Sequence, residues 1–299
     1  SKKLVRKVIH RYADELILLL TGKRGVAETQ IAFLSRQNKG TEIFVVDFDG
    51  ENLKQVTNDK TLNLTPTWSP NGRWLAYTSY AGNNPDLVMI DNFGEKPKRT
   101  LLYLSGLNSA PSWSPVDDRL TLVLSKDENS EIYTLSNNRT LRRLTRHFNI
   151  DTSPTWSPDG KKIAFTSDRS GRGAPQIYIM DAHEGDKAGV QRISFNSSYN
   201  DNPAWSPDGD KIAYTSRVGK RFQIKIYDLI TKSSAVLTKG RGNNEQPTWS
   251  PDGRFIAYRH KDGSGISTYI QRLDSDKTRQ LSIGNSSGAS PSWSPYLNR

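Results

Sequence analysis

The sequence predicts an all-β fold, a six-bladed β-propeller made of four-stranded blades. The tripeptide Trp-Ser-Pro occurs six times, beginning at Trp68, Trp113, Trp156, Trp205, Trp249 and Trp293. The steps between these positions are 45, 43, 49, 44 and 44 residues. A period of this length is typical of a propeller rather than of one irregular domain.

Each repeat carries the signals of four short strands. The Trp ends the first strand, and a turn such as Pro-Asp-Gly at 158–160 follows, because Pro fixes φ and Gly accepts a positive φ. The second strand, as in 163–166, alternates with a period of two. A third strand follows near 177–181 and a fourth near 191–194. One repeat therefore predicts one blade, with its Trp packed between blades.

The two ends of the repeat region complement each other. Residues 30–57 supply strands without a preceding Trp-Ser-Pro, whereas Trp293 begins a motif that no second strand follows. We therefore predict that the C-terminal strand is the innermost strand of the N-terminal blade. This arrangement closes the ring and leaves no free strand edge. Residues 29–299 are predicted to form the propeller.

Residues 1–28 differ from the repeats and predict an amphipathic helix that ends near Gly22. A broad apolar stripe must be covered, so we expect it to pack on the ring or to belong to a further domain. The alternative is a helix on a membrane surface, which the lack of Trp and Phe disfavours. The stripe consists of Leu4, Val5, Val8, Ile9, Tyr12, Ala13, Leu16, Ile17, Leu19 and Leu20.

Composition excludes some functions. The chain has no cysteine, which rules out disulfides and cysteine-ligated metals. No stretch approaches the roughly 18 apolar residues of a membrane span. The 42 Lys and Arg against 31 Asp and Glu give a net charge of +11. Because these cations are spread over all the repeats, we predict no nucleic-acid binding, and binding to an anionic surface remains an alternative.

The stretches that lead into the six innermost strands are the candidate site. They are polar, and by symmetry they converge on one mouth of the central channel, where they could hold an extended peptide or a protein loop. We predict no cofactor, although Asp151, Asp201 and Glu245 could hold a divalent cation. The alternative is that turns simply favour Asn and Asp. The predicted partner-binding residues are Asn63, Leu64, Asn108, Ser109, Asp151, Thr152, Asn200, Asp201, Asn244, Glu245 and Ser290.

The repeated Pro-x-Trp-Ser-Pro-Asp-Gly followed by Ile-Ala-Tyr-Thr-Ser resembles the repeat of the TolB family. Residues 13–35 resemble the junction that precedes the propeller in that family, and residues 291–297 resemble its C-terminus. The resemblance implies that residues 1–28 are the remnant of an N-terminal α/β domain.

The resemblance also implies a function. TolB proteins are non-enzymatic periplasmic components of the Tol-Pal system of Gram-negative bacteria. They bind the lipoprotein Pal at the channel mouth, which places them at the outer membrane. They support outer-membrane integrity and cell division, and colicins can exploit them. The family contacts TolA through its N-terminal region, most of which has no match here, so TolA binding stays open for this chain.

An enzymatic alternative comes from the related propellers of prolyl-oligopeptidase-like peptidases. That activity needs a separate domain carrying the nucleophile, and six repeats leave no room for it within 299 residues. We therefore predict a binding protein rather than an enzyme.

Overall fold

The structure is a computed structural model that describes residues 2–297, except 38, 83, 172 and 282–287. Helix α1 spans Lys2–Thr21. Six antiparallel sheets of four strands each follow. Gly22 adopts φ 72° and donates its N–H to the Leu18 carbonyl oxygen, which ends the helix as predicted.

The strands are assigned to blades in chain order. Blade 1 contains β1 (Gln30–Gln37), β2 (Gly40–Asp47) and β3 (Lys54–Gln55). Blade 2 contains β4 (Asn63–Trp68), β5 (Trp74–Ser79), β6 (Asp86–Asp91) and β7 (Arg99–Leu102). Blade 3 contains β8 (Asn108–Trp113), β9 (Leu120–Asp127), β10 (Asn129–Leu135) and β11 (Leu141–Arg143).

The second half of the ring repeats the pattern. Blade 4 contains β12 (Asp151–Trp156), β13 (Lys162–Ser167), β14 (Gln176–Asp181) and β15 (Gly185–Arg192). Blade 5 contains β16 (Asn200–Trp205), β17 (Lys211–Val218), β18 (Arg221–Asp228) and β19 (Ser233–Val236). Blade 6 contains β20 (Asn243–Trp249), β21 (Phe255–Asp262), β22 (Gly265–Arg272) and β23 (Thr278–Gln280).

The last strand, β24 (Ala289–Trp293), pairs with β1 and becomes the innermost strand of blade 1. Its register places Trp293 opposite Ile31 and Ser292 opposite Ala32. Thus the prediction of six blades and of ring closure by the two chain ends is confirmed.

The hydrophobic core lies between neighbouring blades. One cluster joins Leu34 and Ile43 of blade 1 to Trp68 and Tyr77 of blade 2. The motif tryptophans contribute to these junctions, as predicted. Three of them donate the indole N–H to a backbone carbonyl of the preceding blade: Trp68 to Ser292 at 3.0 Å, Trp156 to Ser112 at 3.1 Å and Trp249 to Ala204 at 2.9 Å.

The ring has two faces. We call one the turn face, because it carries the tight turns between innermost and second strands. The other, the loop face, carries the connections into the innermost strands and the hairpins between second and third strands.

Helix α1 lies on the turn face and contacts it through polar side chains. Arg6 bonds Asp47 at 2.8 Å and Asp49 at 2.5 Å. Asp14 is buried and accepts the backbone N–H groups of Ala27 and Glu28. In the described chain, no helix is long and apolar enough to cross a membrane.

The apolar stripe of α1 points away from the ring, so of the two predicted ways to cover the stripe, packing on the ring is wrong. Leu19 is 83% exposed, and Leu4, Val8 and Tyr12 are also exposed. The physical reason is that the turn face under the helix offers carboxylates and backbone N–H groups rather than apolar surface.

Candidate functional site at the loop face

The six innermost strands share a four-residue segment that ends in a proline, and we number its residues 1 to 4. The third residue of each segment lines the central channel. A bulge in every blade turns the strand at this point, and the following residue is a proline, which has no N–H for the ladder. All six third residues have φ between 46° and 57°, so the strained backbone belongs to the repeat and not to one blade. They are Thr65, Ala110, Ser153, Asn202, Gln246 and Ser290.

Hydrogen bonds link some of these channel residues around the ring. The Asn202 amide donates to the Ser153 hydroxyl at 3.4 Å, and Ser290 donates its hydroxyl to Gln246 Oε1 at 3.0 Å. These bonds connect blade 4 to blade 5 and blade 6 to blade 1. The channel wall is therefore polar and already partly satisfied. Of the predicted site residues, Ser290 lies in this wall.

The first residue of the four-residue segment does not line the channel mouth, where we predicted it to lie. Its side chain is buried and joins two blades: Asn63 bonds Glu42 at 3.2 Å, and Asn244 bonds Gln223 Oε1 at 2.8 Å. A partner at the mouth cannot reach these side chains without opening a junction. The five buried residues are Asn63, Asn108, Asp151, Asn200 and Asn244.

Asp151 is the most unusual of these buried groups. Its carboxylate accepts from Arg169 Nη2 at 2.8 Å. Burial raises its pKa to about 6, although the Arg169 charge pulls the pKa down, and the neighbouring Glu131 carboxylate raises it further. This acid therefore belongs to the junction between blades 3 and 4 and not to the surface of the mouth.

The second residues of the four-residue segments are partly exposed at the channel mouth. Glu245 forms an ion pair with Arg259. Asp201 accepts the hydroxyl of Thr166 at 2.9 Å and that of Tyr199 at 3.2 Å. This second-residue set consists of Leu64, Ser109, Thr152, Asp201 and Glu245.

Asp151, Asp201 and Glu245 do not form a common cation site. Each acid is engaged by its own partners, as described above. Within the described residues, no three His, Asp or Glu side chains come close enough together to hold a metal ion.

The most exposed apolar residues of the loop face are not among the predicted site residues. Phe148 is 84% exposed and Tyr103 is 73% exposed, and both lie on connections that lead into innermost strands. Bulky apolar side chains within such polar loops, as in Arg-His-Phe-Asn-Ile at 146–150, were the available signal. We call the set the apolar crescent: Leu62, Tyr103, Phe148, Ile150 and Phe195.

The crescent follows the loops of blades 2 to 5, on one side of the channel mouth. The polar second residues lie closer to the channel axis. Apolar side chains grouped on an exposed surface beside polar groups mark a candidate site of contact with another protein. The molecule is thus a six-bladed β-propeller whose loop face is the candidate protein-binding site.

Comparison with known proteins agrees with this class. The family model described as "TolB beta propeller domain" matches residues 18–297. The chain belongs to the TolB β-propeller family.

Two curated relatives are similar over part of the chain. The Tol-Pal system protein TolB of Desulfosudis oleivorans is 42% identical over 142 residues, which are 47% of this chain and 32% of that protein. The protein TolB homolog of Chlorobium luteolum is 35% identical over 182 residues, 60% of this chain and 41% of that protein. The matched part thus spans less than half the length of these relatives.

A solved structure is similar over nearly the whole chain. The crystal structure of TolB from Acinetobacter baumannii superposes with a TM-score of 0.86 and 31% sequence identity. The match covers 96% of this chain and 71% of that chain.

Proposed function

We propose that this chain is a non-enzymatic protein-binding scaffold of the Tol-Pal system in the periplasm of a Gram-negative bacterium. Its loop face binds the lipoprotein Pal, which holds the propeller at the outer membrane and supports membrane integrity and cell division. Family membership supports this proposal, as does the similarity to the Desulfosudis relative, a Tol-Pal system protein.

The observation that carries the proposal is the apolar crescent beside a polar channel mouth. Exposed aromatic side chains of this size are enriched at interface centres, where burying them against a partner contributes most of the binding energy. Phe148 stacks on His147 with ring centroids 4.4 Å apart, so it is partly ordered before a partner arrives. The polar second residues Asp201 and Glu245 then provide hydrogen-bonding specificity near the channel.

The exposed stripe of α1 suggests a second part of the proposal. We propose that this stripe packs against an N-terminal α/β domain, of which residues 1–28 are the last helix. The TolA contact of the family belongs to that region, so Pal is the partner that we propose for the described loop face. Colicin binding stays a prediction of the family resemblance.

The test is calorimetric titration of the chain with purified soluble Pal, with two matched isoleucine variants. Ile150, 50% exposed, lies in the crescent, whereas Ile230, 77% exposed, lies on the turn face. We expect Ile150→Ser to weaken binding by about tenfold, because it removes an apolar contact from the interface. Ile230→Ser should leave the affinity unchanged.

Saturable one-to-one binding that Ile150→Ser weakens supports the proposal. Equal affinities of the two variants would remove the crescent from the interface. No heat with the parent chain at high concentration would exclude Pal as a direct partner of these residues.

A further inference from the structure

A sector of the loop face on blades 5 and 6 is strongly basic. It comprises three segments, 217–221, 239–242 and 260–264, which we call the basic sector. These segments carry six Lys or Arg and one Asp, so they hold five of the eleven net positive charges of the chain. All six basic residues are exposed: Arg217, Lys220, Arg221, Lys239, Arg241 and Lys261.

The three segments contact one another, so their charges form one surface. Arg221 Nη1 donates to the Gly240 carbonyl oxygen at 3.0 Å. Gly242 presses against blade 6, since a Cβ there would lie 2.7 Å from His260 Cε1 and 2.8 Å from the Lys261 carbonyl oxygen. The loop 239–242 therefore lies between the hairpin tip of blade 5 and that of blade 6.

These cations are almost unpaired. Within the described chain, none of Arg217, Lys220, Arg221, Arg241 and Lys261 lies within 4.0 Å of a carboxylate, and Lys239 reaches the exposed Asp276 at 4.0 Å. Asp262, the acid of the sector, is engaged by Ser264 at 2.6 Å. The expectation that the positive charge is spread evenly over the repeats is therefore wrong for this sector.

The corresponding hairpin tips of blades 2 and 3 lack this unpaired charge. In blade 2 the tip, 80–85, contains no basic residue. In blade 3, Lys126 pairs with Asp127 at 2.9 Å. The strands of blades 5 and 6 that carry the sector have eight residues each, against six in blades 2 and 4, so they stay paired up to a tight turn. The basic groups thus stand at the ends of regular, tightly closed hairpins.

The shape and charge of the sector point to a flat partner. Its cations stand on the tips of two hairpins, and Val218, 39% exposed, lies between Arg217 and Lys220 on one tip. We propose that the basic sector docks the propeller onto an anionic phospholipid bilayer. The guanidinium and ammonium groups contact lipid phosphates, and Val218 enters the interfacial layer.

A bilayer fits these observations better than another polyanion. Recognition of single-stranded nucleic acid uses aromatic side chains interleaved with the cations. Segments 217–221 and 239–242 contain no Phe, Tyr or Trp, and Phe222, which follows the first segment, packs edge-on against Tyr199. An acidic peptide is held best in a groove, whereas these cations are exposed on hairpin tips and on the loop between them.

The test is co-sedimentation of the chain with vesicles of phosphatidylcholine alone or mixed with an equal amount of phosphatidylglycerol. Two variants that each remove two positive charges are compared. Lys220→Gln with Arg221→Gln lies in the sector, and Lys161→Gln with Lys277→Gln lies on exposed positions of the turn face. Each basic group near an anionic bilayer strengthens binding by about fivefold, so the sector variant should bind about 25-fold more weakly.

We expect the chain to bind only vesicles that contain phosphatidylglycerol and to lose this binding when salt is added. The turn-face variant should bind vesicles as the parent chain does. Because the exposed stripe of α1 could bind a bilayer independently, vesicle binding that the sector variant retains in full would overturn the proposal. If both variants bind vesicles more weakly by the same factor, the effect is one of net charge alone, and this outcome would also overturn the proposal. Binding to polyglutamate or to single-stranded DNA without binding to vesicles would replace the bilayer with another class of partner.

Discussion

Two neighbouring junctions of the ring bury a polar contact at equivalent positions, but one contact is neutral and the other is charged. Between blades 4 and 5 the buried contact is neutral: Asn200 donates to Gln176 Oε1 at 2.8 Å, and Ser194 donates to the same oxygen at 2.9 Å. Between blades 3 and 4, the equivalent positions are the carboxylates Glu131 and Asp151. The repeat therefore fixes where a polar contact is needed and leaves its charge free to vary.

The charged junction needs cations to balance it. Arg143 Nη2 donates to Glu131 Oε1 at 2.9 Å, and Arg169 Nη2 donates to Asp151 Oδ2 at 2.8 Å. Both carboxylates have fully buried side chains. Burial of charge is costly unless it is paired, so this junction depends on its arginines, whereas the neutral junction does not.

The tryptophans of the two junctions also differ. Trp156 donates its indole N–H across the junction to Ser112 at 3.1 Å, and the Arg119 guanidinium lies 5.2 Å from its ring centre. Trp205 donates to Gly209 within its own turn at 3.1 Å. The junction between blades 3 and 4 thus has more bonds that cross between blades.

The largest expected effect comes from placing a charge in the neutral junction. Asn200→Asp replaces the amide donor by a carboxylate. This carboxylate faces Gln176 Oε1 without an arginine to pair with. The new acid must take up a proton on folding, which at pH 7 costs about 4 kcal/mol relative to its ordinary pKa. Urea unfolding should show this loss at pH 7 and recover most of it at pH 4.

Asn202→Asp is the control, because its side chain lies in the open channel wall, and we expect a loss below about 1 kcal/mol. A loss for Asn200→Asp that is the same at pH 4 and pH 7 would show that packing, and not charge, limits this junction.

The second expected effect is a pH dependence of the charged junction. The pKa of Asp151 is raised from 3.8 to about 6, so the folded state binds this proton more tightly than the unfolded state does. The protonated Asp151 carboxyl therefore stabilises the folded state in full below about pH 4. This stabilisation is lost as the pH rises to about 6 and stays absent above that value. The difference corresponds to about 3 kcal/mol.

Asp151→Asn removes this titration. The unfolding free energy of the variant minus that of the parent should therefore rise by about 3 kcal/mol between pH 4 and pH 7 in urea titrations. The comparison of the two proteins cancels the other titrating groups. A difference that does not change with pH would contradict the raised pKa.

The smallest expected effect compares the two tryptophans. Trp156→Phe removes the cross-blade bond to the Ser112 carbonyl oxygen, which keeps only the Thr121 hydroxyl as a side-chain donor. This loss, with the smaller buried ring, should cost about 1 to 3 kcal/mol. Trp205→Phe removes a bond within a turn of its own blade, and Trp205 is partly exposed. This variant should therefore lose about 1 kcal/mol less stability than Trp156→Phe. Chemical denaturation of both variants measures the difference, and equal losses would show that the cross-blade bond adds nothing to packing.

The sequence by itself determined the architecture of the ring. Six repeats with the same turn and strand signals specify six blades, and the unmatched first and last strands specify the closure between β1 and β24. Each of these features depends on residues that are neighbours in the chain or that occupy the same position in every repeat. Local turn chemistry and a period of two were enough to predict them.

Only the tertiary structure decided which polar residues reach the surface. Asn63 and Asp151 have the composition of a binding loop, but the twist between adjacent blades buries them against third-strand side chains such as Glu42 and Glu131. The orientation of α1 likewise depends on Asp47 and Asp49, which lie far from Arg6 in the sequence. The basic sector is visible only when three separate segments meet.

The reason is that burial and charge clustering are properties of contacts between distant residues. A repeat fixes the backbone path because each blade uses the same local interactions. Which side of a strand or helix is covered depends on the particular side chains of the neighbouring element, and those side chains vary from blade to blade.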